Sequence, residues 1–218
     1  MVACSAVFCY DGPMLRIYLA RHGQDQDNAE GLLNGHRDRE LTDLGRAQAA
    51  VLGQKISELG IHFDAVYASP LKRAFRTAEI VAESAGLPKP VAIPDLIERD
   101  FGVMTGVPVS EISKRCAPKI LKTEIIVYFL EPERGETFPV LKERAARALD
   151  QLKSKHRDGS ILVVTHGDVG KMLYAEFYNL DWKEVLTQFH FGNSELLLVS
   201  KDSPAAEAHV FKTEQHNH

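Results

Sequence analysis

Cysteine, tryptophan and net charge are all scarce in this chain of 218 residues, which carries three cysteines, one tryptophan and a formal charge of -4. Three cysteines cannot complete a disulfide framework, none lies in a CxxC pair, and Cys4 and Cys9 both fall among the first ten residues. A reducing, cytoplasmic setting is expected. Long apolar runs are missing as well, since none approaches the roughly 20 residues that a membrane-spanning helix needs. No basic group precedes the small apolar stretch at the start, so neither a membrane partner nor a secretory leader is expected. With 26 Lys+Arg against 30 Asp+Glu, the chain lacks the basic excess that gathers nucleic acid, and nucleic acid is not an expected partner. An anionic ligand would have to be held by a local cluster of cations. Internal repeats and composition shifts marking a linker are also lacking, and the 44% hydrophobic content suffices for a substantial core.

The apolar pattern that is present alternates between two periods. Residues 1–13 follow neither and end on Gly12-Pro13, which reads as a flexible extension. Residues 15–20 (LRIYLA) read as a strand running into Arg21-His22-Gly23. Residues 24–40 read as a polar loop. Thr42 then caps a helix in which Leu44, Ala47, Val51, Leu52, Ile56 and Leu59 recur at helical spacing before Gly60. Residues 64–69 form a second expected strand, and Ser69-Pro70 is expected to open a helix to about Ala85. Beyond a turn-rich stretch the only helix signal is at 109–115. A helix is expected over 137–155, with Leu141, Ala145, Ala148, Leu149 and Leu152 on one face. The continuous apolar run 161–165 (ILVVT) implies a strand buried on both faces, followed by His166-Gly167-Asp168 and a helix to about Tyr178. A last strand is expected over 195–200, ahead of a polar tail over 201–218. Strands alternating with helices indicate one layered α/β domain over 14–200.

Arg21-His22-Gly23, Ser69-Pro70 and His166-Gly167 each follow an expected buried strand. In open α/β sheets ligands bind outside the carboxyl ends of the strands. If these strands run parallel, two histidines and several arginines converge there. Arg73 lies one turn into the helix after Ser69, and a helix start carrying arginine favours phosphate through free N–H groups and a bidentate donor. The implied ligand is phosphate or another compact oxyanion. Lys72 and Arg76 read as a solvated helix face. His36 and His190 are equally compatible with the pocket and with the surface, and His209, His216 and His218 read as tail, without the Cys or carboxylate cluster of a metal site.

The ordered segments LARHGQDQDN (19–28), Gly35, LTDLGRA (41–47), SPLKRAFRTAE (69–79), ERDFG (98–102), GET (135–137) and VTHG (164–167) resemble the histidine phosphatase superfamily, which has the phosphoglycerate mutase-like fold. The resemblance implies a single three-layer domain with a mostly parallel central sheet and helices on both faces. It also implies phosphoryl transfer without a metal or other cofactor. His22 matches the nucleophile that becomes a phosphohistidine, Arg21, Arg73 and His166 match the phosphate pocket, and Asn28 joins them on the phosphate oxygens. Glu98 matches the proton donor, in preference to Asp100, on the family register. Gly35 is expected at the pocket rim, and Gly23 and Gly167 are expected to be glycine because a side chain would crowd groups converging on one anion.

Two departures bear on the substrate. Gln24-Asp25 stands where many members have Glu-Thr. The interval 107–134 lacks the paired arginines and proline run of true mutases. The segment from Gly102 to Gly106, followed by Ser110-Glu111-Ile112, looks more like the fructose-bisphosphatase branch, including TIGAR-type enzymes. The expected activity is hydrolysis of a small phosphorylated metabolite, a sugar phosphate or similar, by a metal-independent phosphatase. A 2,3-bisphosphoglycerate-dependent mutase and a catalytically silent interaction module on the same fold are the alternatives. The sequence sets no oligomeric state.

Overall fold

The computed structural model describes residues 14–203, 205 and 209–211. The expected extension over 1–13 and most of the expected tail lie outside the described residues. Six strands form the main sheet: β1 (Leu15–Arg21), β2 (Ala65–Ala68), β3 (Val91–Ala92), β6 (Gly159–Thr165), β7 (Leu196–Val199) and β8 (His209–Phe211). Their order is β3-β2-β6-β1-β7-β8. The first four are mutually parallel and β7 runs antiparallel to both of its neighbours. A separate antiparallel hairpin joins β4 (Ile120–Lys122) to β5 (Val127–Phe129). The helices are α1 (Gln26–Glu30), α2 (Asp43–Glu58), α3 (Lys72–Ala85), α4 (Ile112–Cys116), α5 (Phe138–Lys155), α6 (Gly167–Phe177) and α7 (Trp182–Gln188).

The alternation of side chains along a strand divides the core in two. Tyr18, Ala20, Val66, Ala68, Leu162 and Val164 pack against Leu52 and Ile56 of α2 and Ala74, Ala78 and Val81 of α3. Ile17, Leu19, Ile161 and Val163 face the other way, onto Leu141, Ala145 and Leu149 of α5 and Val169, Met172 and Leu173 of α6. β1 and β6 are therefore apolar on both faces, as a strand covered by helices on each side must be. This is the three-layer, mostly parallel α/β domain that the resemblance implies. A third cluster (Phe101, Met104, Val107, Ile112 and Phe129) stands apart from both. It organises the segment between β3 and α5 that sequence periodicity leaves blank.

Four expectations change. The polar loop over 24–40 contains α1, whose N-cap Asp25 accepts from the Asn28 N–H. Ser69-Pro70 does not open a helix: α3 begins at Lys72 with Leu71, in extended conformation, at its N-cap, because the Ser69 hydroxyl is committed elsewhere. The hairpin and α7 carry no periodic signal long enough to be read. The sheet also continues past Ser200, where β8 adds an edge strand beside β7, so the boundary drawn at residue 200 cuts through the sheet.

Candidate active site

Parallel pairing sets the register that builds the site. Arg21 stands opposite Thr165, and Ala68 opposite Val164, so His22, His166 and Ser69 all leave the sheet along one edge. The His22 N–H donates to the Thr165 carbonyl at 3.0 Å, extending the ladder by one residue. The two histidine rings meet edge to face, with centroids 5.1 Å apart.

Each ring is held in one tautomer by its neighbours. His22 Nδ1 lies 2.7 Å from the Gly23 carbonyl, which can only accept. Nδ1 therefore carries the proton and Nε2 the lone pair. His166 Nε2 lies 2.7 Å from Ser69 Oγ, and that hydroxyl already accepts from the Leu71 N–H. Among the described residues the Ser69 hydroxyl proton has no other acceptor, so it is spent only when donated to Nε2, which leaves the proton of His166 on Nδ1. Burial, followed by the charges of Arg73 and then Arg21, holds the His22 pKa well below the usual imidazole value. For His166 the causes are burial, then Arg73, His22 and Arg21. Both rings are neutral at pH 7.

Two arginines flank the histidines. Arg21 donates through Nη1 to the Phe191 carbonyl at 2.7 Å. Arg73 is wholly buried and donates through Nη1 to the Arg37 carbonyl and through Nη2 to the Gly35 carbonyl. Its Nε is 3.3 Å from the Asp25 carboxylate, without hydrogen-bond alignment. Among the described residues, Arg21 Nε, Arg73 Nε and His166 Nδ1 are buried without a hydrogen-bond partner. An unsatisfied buried N–H costs about 1–3 kcal/mol, so the unspent Arg21 Nε and His166 Nδ1 are groups that an acceptor would satisfy.

Arg21, Asn28, Glu98 and Gly167 line one cleft, with His22 and His166 directly behind them as the chain neighbours of Arg21 and Gly167. Glu98 is 5% exposed and accepts from the Arg99 N–H at 2.8 Å. Burial, and secondarily the Asp168 carboxylate, pushes its pKa up to about 7. Asp100, the other candidate acid, instead accepts from the Gly102 N–H and is absent from the cleft lining. Gly35 lies behind Arg73 as the acceptor of its Nη2, so its place is in the support of the guanidinium. His36 donates to the Glu98 carbonyl at 2.7 Å. Lys72 and Arg76 pair with Glu40 and Glu79 on the surface, and His190 lines a different depression.

The reason expected for the glycines needs correction. A Cβ on Gly23 would sit 2.3 Å from the Gly45 carbonyl oxygen, a collision with the backbone of α2 and not with an anion. One on Gly167 would meet the Arg21 guanidinium only at an ordinary 3.7 Å. Gly23→Ala is accordingly expected to destabilise the fold by about 2 kcal/mol or more, measured as the shift in the urea-unfolding midpoint.

Several supports are invisible in the sequence. Thr77 Oγ1 accepts from the Gly23 N–H and donates to the Arg73 carbonyl. Asn193 Nδ2 donates to the His22 carbonyl and to Asn28 Oδ1. Arg144 donates to the carbonyls of Asp95, Ile97 and Glu98 while pairing with Glu136 at 2.6 Å, which pins the Glu98 loop. Arg99 pairs with Asp168 at 2.7 Å and lies against the rings of Phe101, Phe129 and Phe138. Only the positions of Asp25 and Thr77 inside the motif segments 19–28 and 69–79 could have hinted at any of this.

A doubly wound sheet with two neutral histidines, two arginines and a raised-pKa carboxyl at the carboxyl ends of its strands is the arrangement of a phosphoryl-transfer enzyme. The pattern of the histidine phosphatase superfamily (branch 1) matches residues 17–211. The chain belongs to that superfamily and is a phosphatase of it. It is 38% identical over 164 residues to phosphoglycerate mutase-like protein 4 of Arabidopsis thaliana, covering 72% of this chain and 69% of that one. It is 32% identical over 165 residues to the metal-independent phosphoserine phosphatase of the same plant, covering 75% and 69%. The solved phosphoserine phosphatase of Entamoeba histolytica, in complex with 3-phosphoglyceric acid, superposes with a TM-score of 0.72 at 25% identity, covering 93% of this chain and 99% of that one. Bacterial 2,3-bisphosphoglycerate-dependent mutases are also among the relatives. Among the described residues no helix is long and apolar enough to cross a membrane.

Proposed function

We propose that the protein hydrolyses a small phosphorylated metabolite in two steps through a phosphohistidine on His22, without a metal. The observation that carries this reading is the tautomer lock: the Gly23 carbonyl holds the proton on Nδ1 of a neutral, buried His22, leaving the Nε2 lone pair beside Arg21, Arg73 and His166. Nε2 attacks phosphorus in line, the P–N bond forms and the bond to the leaving alkoxide breaks. Protonated Glu98 delivers its proton to that departing oxygen. The Glu98 carboxylate then takes a proton from water, whose oxygen attacks phosphorus. The P–N bond breaks, inorganic phosphate leaves, and His22 and Glu98 return to their starting states. Arg21, Arg73, His166 Nδ1–H and Asn28 carry the charge on the equatorial oxygens, a reading supported by the unspent Arg21 Nε and His166 Nδ1.

Ser69 acts through His166. Ser69→Ala would leave Nε2 without its donor and free the proton to sit there, turning a lone pair toward the anion. A loss of about tenfold in kcat/KM is expected, on the scale of a misoriented supporting partner. Steady-state assays with p-nitrophenyl phosphate in EDTA would measure it.

The interval 107–134 forms one wall of the cleft and lacks the paired arginines of the mutases, which supports hydrolysis over isomerisation. Phosphate release from p-nitrophenyl phosphate, set against isomerisation of 3-phosphoglycerate primed with 2,3-bisphosphoglycerate, tests the reading directly. An isomerase rate well above the phosphatase rate would overturn it.

A further inference from the structure

Two carboxylates line the same cleft, Glu98 and Asp168, and the reaction above uses only the first. Arg99 donates to both, its N–H to Glu98 Oε1 at 2.8 Å and its Nε to Asp168 Oδ2 at 2.7 Å. Arg99 is itself fixed. It is 1% exposed, its guanidinium lies against the rings of Phe101, Phe129 and Phe138, and its Nη1 donates to the Glu136 carbonyl at 3.2 Å. One held residue thereby sets the spacing of the two acids.

Their surroundings divide the charge and the proton between them. Asp168 stands in the first turn of α6, where the helix dipole favours a negative charge, and has the Arg99 guanidinium as its partner. Glu98 is faced by groups that pull in opposite directions. Burial and the Asp168 charge oppose its ionisation, while the Arg99 N–H, Arg73 on α3 and Arg21 at the end of β1 favour it. His36 and Arg144 of α5 reach its main-chain carbonyl, and Arg144 is paired with Glu136. Among the groups facing the Glu98 carboxyl, Asp168 is the anion set against two cations.

We infer that Asp168 is a positioning residue that keeps the proton on Glu98: its charge, fixed in the cleft by Arg99, makes a second carboxylate charge there unfavourable. The inference rests on the reading of Glu98 as proton donor and names the group that keeps that donor loaded. Without Asp168, Arg21 and Arg73 would draw the proton off at a lower pH, and the acid would be empty at neutral pH. An Asp168 that only neutralised Arg99 would leave the pH dependence of the reaction where it is.

The test is the pH profile of Asp168→Asn, which keeps an oxygen for Arg99 Nε and removes the charge. Glycerol 3-phosphate serves as the alkyl ester and p-nitrophenyl phosphate as the aryl one. Comparing kcat/KM with the wild type at each pH cancels the ionisation of the ester itself. On glycerol 3-phosphate the wild type should lose activity as pH rises through about 7, and in the variant that limb should move about one pH unit toward acid. The variant should then nearly match the wild type at pH 5 and be about tenfold slower at pH 8. On p-nitrophenyl phosphate, whose leaving group needs little protonation, the ratio should stay nearly constant with pH. A limb that stays in place, or an equal loss at every pH on both esters, would overturn the inference and leave Glu98 as the acid. A wild type without that limb on glycerol 3-phosphate would overturn the assignment of Glu98 instead.

If glycerol 3-phosphate is not turned over, the urea-unfolding midpoint decides. Relative to the wild type, the midpoint of Asp168→Asn should rise between pH 5 and pH 8, because an ionised Glu98 burdens the fold less once the neighbouring anion is gone. That rise should disappear when Glu98→Gln is present in both chains. No rise would refute the inference. So would a rise that persists without Glu98, since it would belong to Lys171, whose ammonium also feels the Asp168 charge.

Discussion

His22→Ala is expected to abolish phosphate release, with kcat falling on the order of 10⁴-fold or more, the scale on which removal of a covalent nucleophile acts. No neighbour can take over. His166 carries its proton on Nδ1 and has its Nε2 occupied by Ser69, so neither nitrogen is a free lone pair. The expected loss is one of chemistry and not of folding, because the bonds that hold this segment come from the backbone: the His22 N–H to Thr165, and Asn193 and Ser194 to the His22 carbonyl. Thermal unfolding followed by circular dichroism should shift by only a few degrees. A second readout is the intermediate itself. Quenching the wild type during turnover of a ³²P-labelled ester should trap acid-labile, alkali-stable label on the protein, and His22→Ala should trap none. Undiminished hydrolysis in the variant would refute the mechanism, and an inactive wild type that binds phosphate at this site would point to the silent interaction module.

Replacing Glu98 by glutamine should produce the second large effect, in opposite directions on activity and stability. The glutamine cannot protonate an alkoxide, so kcat for an alkyl phosphate should fall about 10²–10⁴-fold. For p-nitrophenyl phosphate the fall should be much smaller, since that leaving group needs little protonation. In the wild type, activity on alkyl esters should decline as pH rises through about 7, where Glu98 loses the proton it must donate. That limb should vanish in Glu98→Gln.

Stability moves the other way. The folded state raises the Glu98 pKa from 4.5 to about 7, so between those values the folded protein binds more protons than the unfolded chain. The stabilisation is whole below pH 4.5 and is lost as pH climbs through 7. About 2.5 pKa units correspond to about 3 kcal/mol. Glu98→Gln, neutral at every pH, is expected to recover much of this above pH 7, read as a higher urea midpoint than the wild type at pH 8 and little difference at pH 4.5. A variant less stable than the wild type at pH 8 would show that the buried carboxylate is not the burden described. On the proposed mechanism, the acid sits where it costs stability because its proton is used there.

The sequence reached the ends of the three central strands because each ends in a short apolar run, and runs of that kind can be read locally. It also carried the motif residues Arg21, His22, Arg73, Glu98 and His166, of which Arg21 and Glu98 line one cleft and the two histidines meet edge to face. It did not disclose what Ser69 does. A serine before a proline suits a helix cap, and only the pairing of β2 beside β6 places its hydroxyl 2.7 Å from His166 Nε2. The reason for Gly23 was equally hidden, since it lies in the backbone of a helix that starts twenty residues later. From Gly102 to Glu136 the chain forms short strands and single helical turns around Phe101 and Phe129, too brief for any period to establish itself.

The sequence alone therefore determined the fold class, the family and the chemistry of an anion held by local cations in a chain of net charge -4, because apolar periodicity and ordered motifs are properties of the chain itself. Only the tertiary structure decided the states of those groups. Which nitrogen of each histidine bears the proton, why the Glu98 carboxyl keeps its proton to about pH 7, and which donors remain unspent are set by neighbours far away in sequence. Burial makes those distant partners count, since hydrogen bonds and charges act strongly where water is excluded.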